Sequence, residues 1–343
     1  MKAKTSKSYL VNSKTLPAAP GSRKEAMPTL INPMLATLTK EAFSDPNWIF
    51  EFKWDGIRAV GFLKNKKVQL VSRNAKEFAF RYPELSSLPK WIDAENAILD
   101  GEIVALTDKG IPSFQLLQQR MGLNAKSEIA RLANESPVVY YVFDLLYCNG
   151  FSLMGAELIH RKALLKEIME ENEFLRYSDH VIGDGVKLFQ KASKLQLEGI
   201  IAKHQSSLYV QKRTRDWLKI KTVLRQEVVI GGYTEPKGSR IRFGSLVVGL
   251  YRDSELTYVG HVGGGFNERS LKQVYSFMQP LKQQKSPFLS TPKTNEKVQW
   301  IKPALVCEVK FSEWTSDGMM RQPIFMGLRD DKQPAQCVME VPS

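Results

Sequence analysis

The sequence predicts an α+β domain followed by a small all-β domain. Between about residues 28 and 223, strand-like runs rich in aromatic and β-branched residues alternate with amphipathic helical segments. From about residue 224 the chain changes to short strands of alternating pattern, separated by Gly, Pro and Lys turns. The 343 residues are also enough for two domains of ordinary size.

The strand signals of the first domain begin with a hairpin. The runs "WIFEFKWDGIRAVGFL" and "KVQLVSR" are strand-like, and "KNKK" between them indicates a polar turn. "AILDGEIVAL" and "PVVYYVFDLLY" predict two further strands. Helices are expected at "IPSFQLLQQRMG", where Phe114, Leu117 and Met121 have helical spacing, and at the amphipathic run "ELIHRKALLKEIMEENEF".

The two ends of the chain differ in character. Residues 224–343 contain about five short strands around one helical segment, "NERSLKQVYSFMQPL", which favours a small β-barrel of the OB type. Residues 1–27 carry five lysines and one arginine against the single acid Glu25, and they lack the apolar region of a secretory signal. We expect these residues to form a flexible basic arm.

The bulk composition narrows the class of protein. A net charge of +13 and a pI near 9.5 favour a polyanionic partner, with nucleic acid first, although a generally lysine-rich proteome would give the same numbers. Cys148, Cys307 and Cys337 are far apart, which argues against a disulfide framework or a cysteine zinc site. No run of about 18 apolar residues occurs, so we expect no membrane segment and a cytoplasmic protein, associated with the nucleoid if bacterial.

The most informative short stretch is "FEFKWDGIRA". Its core has the form K-x-D-G-x-R, with Lys53, Asp55 and Arg58. Lysine acts as a nucleophile only when its amine is unprotonated, and apolar packing by neighbours such as Phe52 and Trp54 favours that state. Arg58 offers a planar fork for phosphate or carboxylate. The alternative is an ordinary lysine at a strand end followed by an Asp-Gly turn.

Charged residues recur near strand ends along the rest of the first domain. No Walker-type phosphate loop is present. Instead the chain carries Arg73 in "SRN", Glu102 in "LDGEIV", Asp144 beside the aromatic Phe143 in "YVFDLLY", Glu198 in "LEGIIAK", and Lys219 with Lys221 in "WLKIK". Strand alternation places Lys219 and Lys221 on one face, where both side chains point into one site. A whole series of charges within apolar strands indicates a site rather than solvated surface.

With these motifs in this order, the chain from about Pro33 to Glu340 resembles the ATP-dependent DNA ligases of the covalent nucleotidyltransferase superfamily. Within that family it is most similar to the ligase domain of bacterial ligase D, through "PMLATL", "RDWLKIK", "GGYTEPKGSR" and "MMRQPIFMGLRDDK". The resemblance implies an adenylation domain with antiparallel sheets and flanking helices at 28–223 and an OB-fold domain at 224–343. One departure is Ala75, which follows Asn74 where the family commonly has Gly.

The resemblance also implies a role for each motif residue. Lys53 would carry AMP as a lysyl-adenylate, and Asp55, Lys219 and Lys221 would assist it in catalysis. Mg²⁺, for which Mn²⁺ can substitute, would bind to Glu102 and Glu198. The implied ATP contacts are Glu51 to the adenine amino group, Phe143 stacked on the base, Arg58 and Arg73 on sugar and phosphates, Glu102, Arg213, Lys219 and Lys221, and, for the pyrophosphate, Arg329, Asp331 and Lys332.

The implied substrate is duplex DNA with a 3′-hydroxyl/5′-phosphate break, sealed in DNA repair by a monomer. Lys237, Arg240 and Arg242 would bind backbone phosphates independently of sequence. Recruitment by a Ku-like end-binding protein and a role in end joining stay open. Two other hypotheses about the function also stay open. The protein could be an RNA ligase or capping-type nucleotidyltransferase, or it could be a basic DNA-binding protein with an inactive transferase core.

Overall fold

The computed structural model describes residues 19–108, 110–236, 241–294 and 296–340. The chain divides into two compact units, the first ending at Ile220 and the second beginning at Lys221. Most of the expected basic arm, residues 1–18, lies outside the described residues, as do Lys237 and Arg240. The expected domain boundary between residues 223 and 224 stays a prediction.

The described part of the first unit contains twelve strands and four α-helices. The strands are β1 (Arg23–Lys24), β2 (Leu35–Leu38), β3 (Trp48–Phe52), β4 (Ile57–Lys64), β5 (Lys67–Ser72), β6 (Asn96–Ala105), β7 (Val138–Cys148), β8 (Phe151–Ser152), β9 (Leu175–Tyr177), β10 (His180–Ile182), β11 (Gly199–His204) and β12 (Arg213–Lys221). The helices are α1 (Phe114–Gln118), α2 (Lys126–Glu135), α3 (Leu158–Ile168) and α4 (Gly185–Lys194), with 3₁₀ turns at Ala79–Arg81 and Pro83–Lys90.

Two sheets organise the described residues of this unit. The larger has the order β1-β8-β7-β6-β4-β5 with β9 beside β7, and the smaller has the order β10-β3-β11-β12-β2. The predicted hairpin is confirmed for β4 and β5, which pair antiparallel around a turn at Asn65 and Lys66. The run "WIFEFKWDGIRAVGFL", however, is divided: β3 belongs to the smaller sheet and β4 to the larger. The chain therefore crosses between sheets at Lys53–Gly56.

The apolar side chains arrange the sheets and helices in layers. One face of the larger sheet packs against α1, α3 and the 3₁₀ turns through residues such as Leu117, Leu165 and Leu85. A second cluster, which includes Ile49 of β3 and Phe143 of β7, lies between the two sheets. The other face of the smaller sheet is covered by α4. Residues at the crossing between the sheets thus lie next to a well-packed interior.

Two motif glycines are required by close backbone approach. A Cβ atom at Gly56 would lie 2.1 Å from the carbonyl oxygen of Ile103, and one at Gly101 would lie 2.6 Å from the Tyr140 ring. These distances are far below van der Waals contact, so neither position accepts a side chain without movement of the sheet. The D-G of the lysine motif and the D-G-E motif are therefore packed against each other through β4 and β6.

The helix predictions are only partly correct. Helix α1 is confined to Phe114–Gln118, and α2 was not predicted. Helix α3 ends at Ile168, so the expected continuation through "MEENEF" is wrong. The reason is local: the apolar period stops after Ile168, and the Asn172 side chain accepts hydrogen bonds from the backbone of Phe174 and Leu175, which favours a turn.

The second unit is built on one antiparallel sheet in its described residues. Its strands are β13 (Leu224–Thr234), β14 (Leu246–Arg252), β15 (Glu255–Val262), β16 (Lys282–Gln283), β17 (Val298–Phe311) and β18 (Ile324–Arg329), with helix α5 (Glu268–Met278) and 3₁₀ turns at Gln279–Leu281 and Pro334–Gln336. The pairings run in the order β15-β14-β13-β17-β16 with β18 beside β17, and among the described strands they do not close into a barrel. The predicted strands and the single helix of this region are confirmed.

None of the helices described in either unit has the length and apolar character needed to cross a membrane.

A fully buried ion pair joins α3 to β7 in the first unit. Arg161 donates to both carboxylate oxygens of Asp144, at 2.8 and 2.9 Å, and both side chains are completely buried. Arg161 also donates to the carbonyl oxygens of Ala156 and Ser207. Because removal of one partner strands a buried charge, such a pair is far more sensitive to substitution than a surface pair.

We expect Arg161→Met to lower the free energy of unfolding by about 3–5 kcal/mol, because Asp144 would remain buried without its cation. Urea unfolding followed by circular dichroism measures this change. The matched control is Arg131→Met, which removes an exposed ion pair to Glu135 on α2 and should change stability by at most about 0.5 kcal/mol. Equal effects of the two substitutions would contradict this account.

Candidate active site

Lys53 lies in the connection between the two sheets of the first unit. Its backbone N–H donates to the carbonyl oxygen of Gly199 at 2.9 Å, and its ammonium group forms an ion pair with the Glu198 carboxylate. The Lys53 side chain is 22% exposed, whereas Glu198 is 5% exposed. Asp55 belongs to the same connection. The structure thus brings the lysine motif and the E-G motif into direct contact.

Glu51, two residues before the lysine, is almost completely buried. Its Oε1 accepts a hydrogen bond from Lys162 at 2.7 Å, and its Oε2 accepts from Lys203 at 3.0 Å and from the Ser178 hydroxyl at 3.1 Å. Burial by itself would raise the pKa of Glu51, but the two ammonium groups outweigh it and lower that pKa. Burial lowers the pKa of Lys203 to about 8 despite the opposing effect of Glu51.

Phe143 and Arg58 continue this arrangement. The Lys203 ammonium lies 4.2 Å from the centroid of the Phe143 ring, and the Arg58 guanidinium lies 4.5 Å from it. Arg58 donates to both oxygens of Asp100, at 2.6 and 2.7 Å. Glu51, Phe143 and Arg58, predicted as separate ATP contacts, therefore form one connected set. Phe143 is 7% exposed and also belongs to the buried cluster between the sheets.

The turn that contains Arg73 includes a residue in the left-handed backbone conformation that favours glycine. Arg73 lies in the turn that follows β5, and the N–H of Ala75 donates to the Ser72 carbonyl oxygen at 2.9 Å. Ala75 has φ +58°, in the left-handed region that costs a non-glycine residue about 1–2 kcal/mol. Ala75 therefore holds, at the cost of local strain, a left-handed conformation that a glycine would adopt freely.

Glu102 lies on β6 directly opposite Arg58 of β4. A Cβ atom at Gly56 would come within 3.0 Å of the Glu102 Cγ atom, which shows how tightly the lysine motif packs on this carboxylate. The described residues contain no group of three or more side chains arranged to hold a metal ion. Mg²⁺ is commonly held by one or two protein carboxylates together with substrate phosphates and water. Glu102 and Glu198 carry the kind of oxygen ligand that this mode of binding uses.

The remaining predicted residues of β12 have different surroundings. Arg213 donates to the Ala36 carbonyl oxygen. Lys219 lies beside Leu38 in the parallel pairing of β12 and β2. Lys221 is assigned to the second unit, where its ammonium donates to the Arg225 carbonyl oxygen at 2.8 Å. The shared site proposed for Lys219 and Lys221 stays a prediction.

The R-x-D-K motif forms a charge network within the second unit. Arg329 donates to both oxygens of Asp331 at 2.8 Å and to Glu308 at 2.8 Å, and Lys332 lies 2.8 Å from Glu227. Burial alone would raise the pKa values of Asp331 and Glu227, but the neighbouring cations outweigh this effect, and both pKa values are lowered.

Of the expected DNA contacts, Arg242 is half-buried with φ +87°, while Lys237 and Arg240 lie outside the described residues.

Several residues that hold the site together were not predicted from the sequence. Lys162 and Ser178 bind Glu51, and Tyr209 donates to Asp100 at 2.6 Å. The available signal for Lys162 was its position on α3: helical spacing puts it on the side that buries Leu158 and Leu165, where a solvated lysine would not be placed. Ser178 and Tyr209 carry no comparable pattern.

Comparison with known protein families shows to which family the chain belongs. A family model described as "ATP dependent DNA ligase domain" matches residues 33–221, more than half of the chain, and a second, described as "ATP dependent DNA ligase C terminal region", matches residues 239–332. The chain belongs to the ATP-dependent DNA ligase family. It is therefore an enzyme of this class, and its fold is the nucleotidyltransferase-type DNA ligase fold.

Individual ligases agree with this assignment. The chain is 38% identical over 327 residues to the multifunctional non-homologous end joining protein LigD of Pseudomonas aeruginosa, covering 93% of the chain but only 38% of that protein. It is 30% identical over 300 residues to the SPbeta prophage-derived DNA ligase-like protein LigB of Bacillus subtilis, covering 87% of the chain and 99% of LigB. A solved structure of mycobacterial DNA ligase D complexed with ATP and MES matches with a TM-score of 0.67 and 34% identity, over 90% of this chain and 98% of that one.

The lowered pKa of Glu227 predicts how the ligase responds to acid. A carboxylate whose folded-state pKa is depressed adds stability above its unfolded-state pKa, and this stability is lost as the pH falls. We therefore expect the free energy of unfolding to decrease between about pH 5 and pH 3, and to decrease less steeply in Glu227→Gln.

Urea unfolding at a series of pH values tests this expectation. The control is Asp253→Asn, at an exposed turn residue of the same unit whose positive φ asparagine also tolerates. The control should keep the pH dependence of the unmodified chain. An unchanged pH dependence in Glu227→Gln would contradict the role of the Lys332–Glu227 pair.

Proposed function

We propose that this ligase seals 3′-hydroxyl/5′-phosphate breaks in duplex DNA through an AMP carried on Lys53, and that it acts in DNA repair. The observation that carries the proposal is the position of Lys53. It lies in the connection between the two sheets, paired with Glu198 and two residues from the buried Glu51, in a chain of the ATP-dependent DNA ligase family.

The proposed reaction has three steps. First, Lys53 Nζ bonds to the α-phosphorus of ATP while the bond from that phosphorus to the bridging oxygen breaks and pyrophosphate leaves. Second, an oxygen of the DNA 5′-phosphate takes the AMP, and the phosphorus–nitrogen bond to Lys53 breaks. Third, the 3′-hydroxyl attacks the activated 5′-phosphorus, AMP leaves, and the hydroxyl loses its proton.

The chain's own residues bind and orient the reactants. Glu51 would accept a hydrogen bond from the adenine amino group, Phe143 would stack on the base, and Arg58 and Arg73 would hold the sugar and phosphates. Charge that develops on phosphoryl oxygens needs nearby cations, the role proposed for Lys219 and Lys221. The proposal also includes Asp55 as a catalytic residue and Arg213 as an ATP contact. The proposed contacts to pyrophosphate are Arg329, Asp331 and Lys332.

A divalent ion completes the proposed site. Glu102 and Glu198 would hold Mg²⁺, for which Mn²⁺ can substitute, and the ion would neutralise charge on the phosphoryl oxygens. Because Glu198 pairs with the protonated form of Lys53, this contact must be exchanged or the proton released before the amine attacks.

The second unit and the excess positive charge support DNA binding. An OB-type barrel is the proposed architecture of residues 224–343, and Lys237, Arg240 and Arg242 are the proposed contacts to backbone phosphates. A net charge of +13 supports sequence-independent binding that weakens as salt concentration rises.

The similarity to LigD supports a role in end joining. The chain spans 38% and 41% of the length of the LigD proteins of Pseudomonas aeruginosa and Mycolicibacterium smegmatis, so only the ligase part of those proteins is comparable. End joining, a Ku-like partner, action as a monomer and a cytoplasmic location are accordingly proposals, supported by those relatives and by the chemistry of the substrate.

The direct test is substitution of the proposed nucleophile. Lys53→Ala should lose covalent labelling by radioactive ATP on a denaturing gel and lose sealing of nicked DNA, because no other group is proposed to carry AMP. Lys67→Ala, at an exposed lysine of the β4–β5 hairpin, should behave like the unmodified ligase. Sealing by Lys53→Ala at an undiminished rate with fresh ATP would contradict the assignment.

Two further substrates test the separate steps of the reaction and the choice of nucleotide. DNA whose 5′-phosphate already carries AMP needs only the third step, so Lys53→Ala should retain part of its sealing activity on it. Labelling by GTP instead of ATP would favour the capping-type reading and would overturn the proposed nucleotide.

A further inference from the structure

One buried ammonium group connects the two residues proposed to recognise adenine. Lys162 of α3 is 1% exposed, and its Nζ donates to Glu51 Oε1 at 2.7 Å, to the Ser178 carbonyl oxygen at 3.0 Å and to the Phe143 carbonyl oxygen at 3.4 Å. An ammonium group has three donors, and all three are used here. Glu51 is thereby linked to the backbone of Phe143 and to the chain just after β9.

The hydrogen bonds to Glu51 leave one of its acceptor positions unused. A carboxylate can accept about four hydrogen bonds, two on each oxygen. Glu51 accepts three from described residues: Oε2 accepts from Lys203 and Ser178, and Oε1 accepts from Lys162. One acceptor position therefore remains on Oε1, the oxygen that Lys162 holds.

The charge state of Glu51 decides which base that position accepts. An ionised carboxylate only accepts hydrogen bonds, so it suits the amino group that adenine presents at its six-position and opposes the carbonyl oxygen that guanine presents there. A protonated Glu51 would donate and would lose this preference. A carboxylate this deeply buried stays ionised only when cations compensate for its lost hydration.

We propose that Lys162 is a positioning residue for nucleotide selection: it orients Glu51 Oε1, keeps Glu51 as a pure acceptor, and ties it to the strand that carries Phe143. This inference rests on the proposed function, because it assumes that Glu51 and Phe143 contact adenine. Lys203 alone is a weaker support, since its ammonium is shared with the Phe143 and Trp217 rings and burial lowers its pKa to about 8.

The test is the steady-state rate of nick sealing with ATP and with GTP as the nucleotide in Lys162→Met, a substitution of similar length without charge. We expect the KM for ATP to rise about tenfold or more with kcat within about threefold, because the lost interaction positions the bound base. The preference for ATP over GTP should fall about tenfold. Lys162→Arg, which keeps the charge and the donors, should return both quantities toward the unmodified values.

A matched control separates this role from helix stability. Lys166→Met removes an exposed lysine one turn further along α3, and both KM and nucleotide preference should stay unchanged. Circular dichroism and thermal unfolding establish which variants are folded. If Lys162→Met does not fold, Lys162→Gln, which keeps a donor without the charge, is measured with the same expectations.

Each outcome bears on a different claim. A folded neutral variant with unmodified KM and nucleotide preference overturns the proposal for Lys162. Failure of both neutral variants to fold would place Lys162 in the framework of the fold alone and would also overturn it. Failure of the unmodified ligase to become labelled by ATP would instead overturn the proposed function.

Discussion

The ionised Glu51, buried between the ammonium groups of Lys162 and Lys203, is the interaction on which the rest of the site depends. It joins β3 to α3 and to β11, and β3 is the strand that delivers Lys53. A buried carboxylate would be strongly unfavourable alone, and the two cations would be equally unfavourable without it. The proposed nucleophile is therefore held by a charge balance as well as by apolar packing.

The same segment serves both the topology and the proposed chemistry. The chain leaves the smaller sheet after Phe52 and enters the larger one at Ile57, and Lys53 lies in between. Gly56 allows this crossing because no side chain could fit against the Ile103 carbonyl group. A lysine placed between two packed sheets has limited exposure and fixed neighbours, which is what a covalent nucleophile needs. The second unit satisfies its own charges separately, through Arg329, Lys332 and their carboxylates.

The sequence predicted the longer strands and the order of the motifs because both leave local patterns. β4 through β7, β13 through β15 and β17 carry clear apolar runs, and the K-x-D-G, D-G-E and E-G motifs are continuous in the chain. The assignment of β3 and β4 to different sheets has no local signal, since a continuous apolar run does not show where a chain changes sheets. Lys162 was missed because a lysine in an amphipathic helix is ordinarily solvated. Its position on the buried side of α3 is a local signal, but the carboxylate that pairs with it lies 111 residues away.

The proposed reaction requires that Lys53, and not another of the lysines near it, carries AMP. The most direct measurement is mass spectrometry of the unmodified ligase after incubation with ATP and Mg²⁺, followed by proteolysis to locate the modified residue. We expect a single AMP on the peptide that contains Lys53. No added AMP, or AMP on Lys162, Lys203 or Lys219, would contradict it.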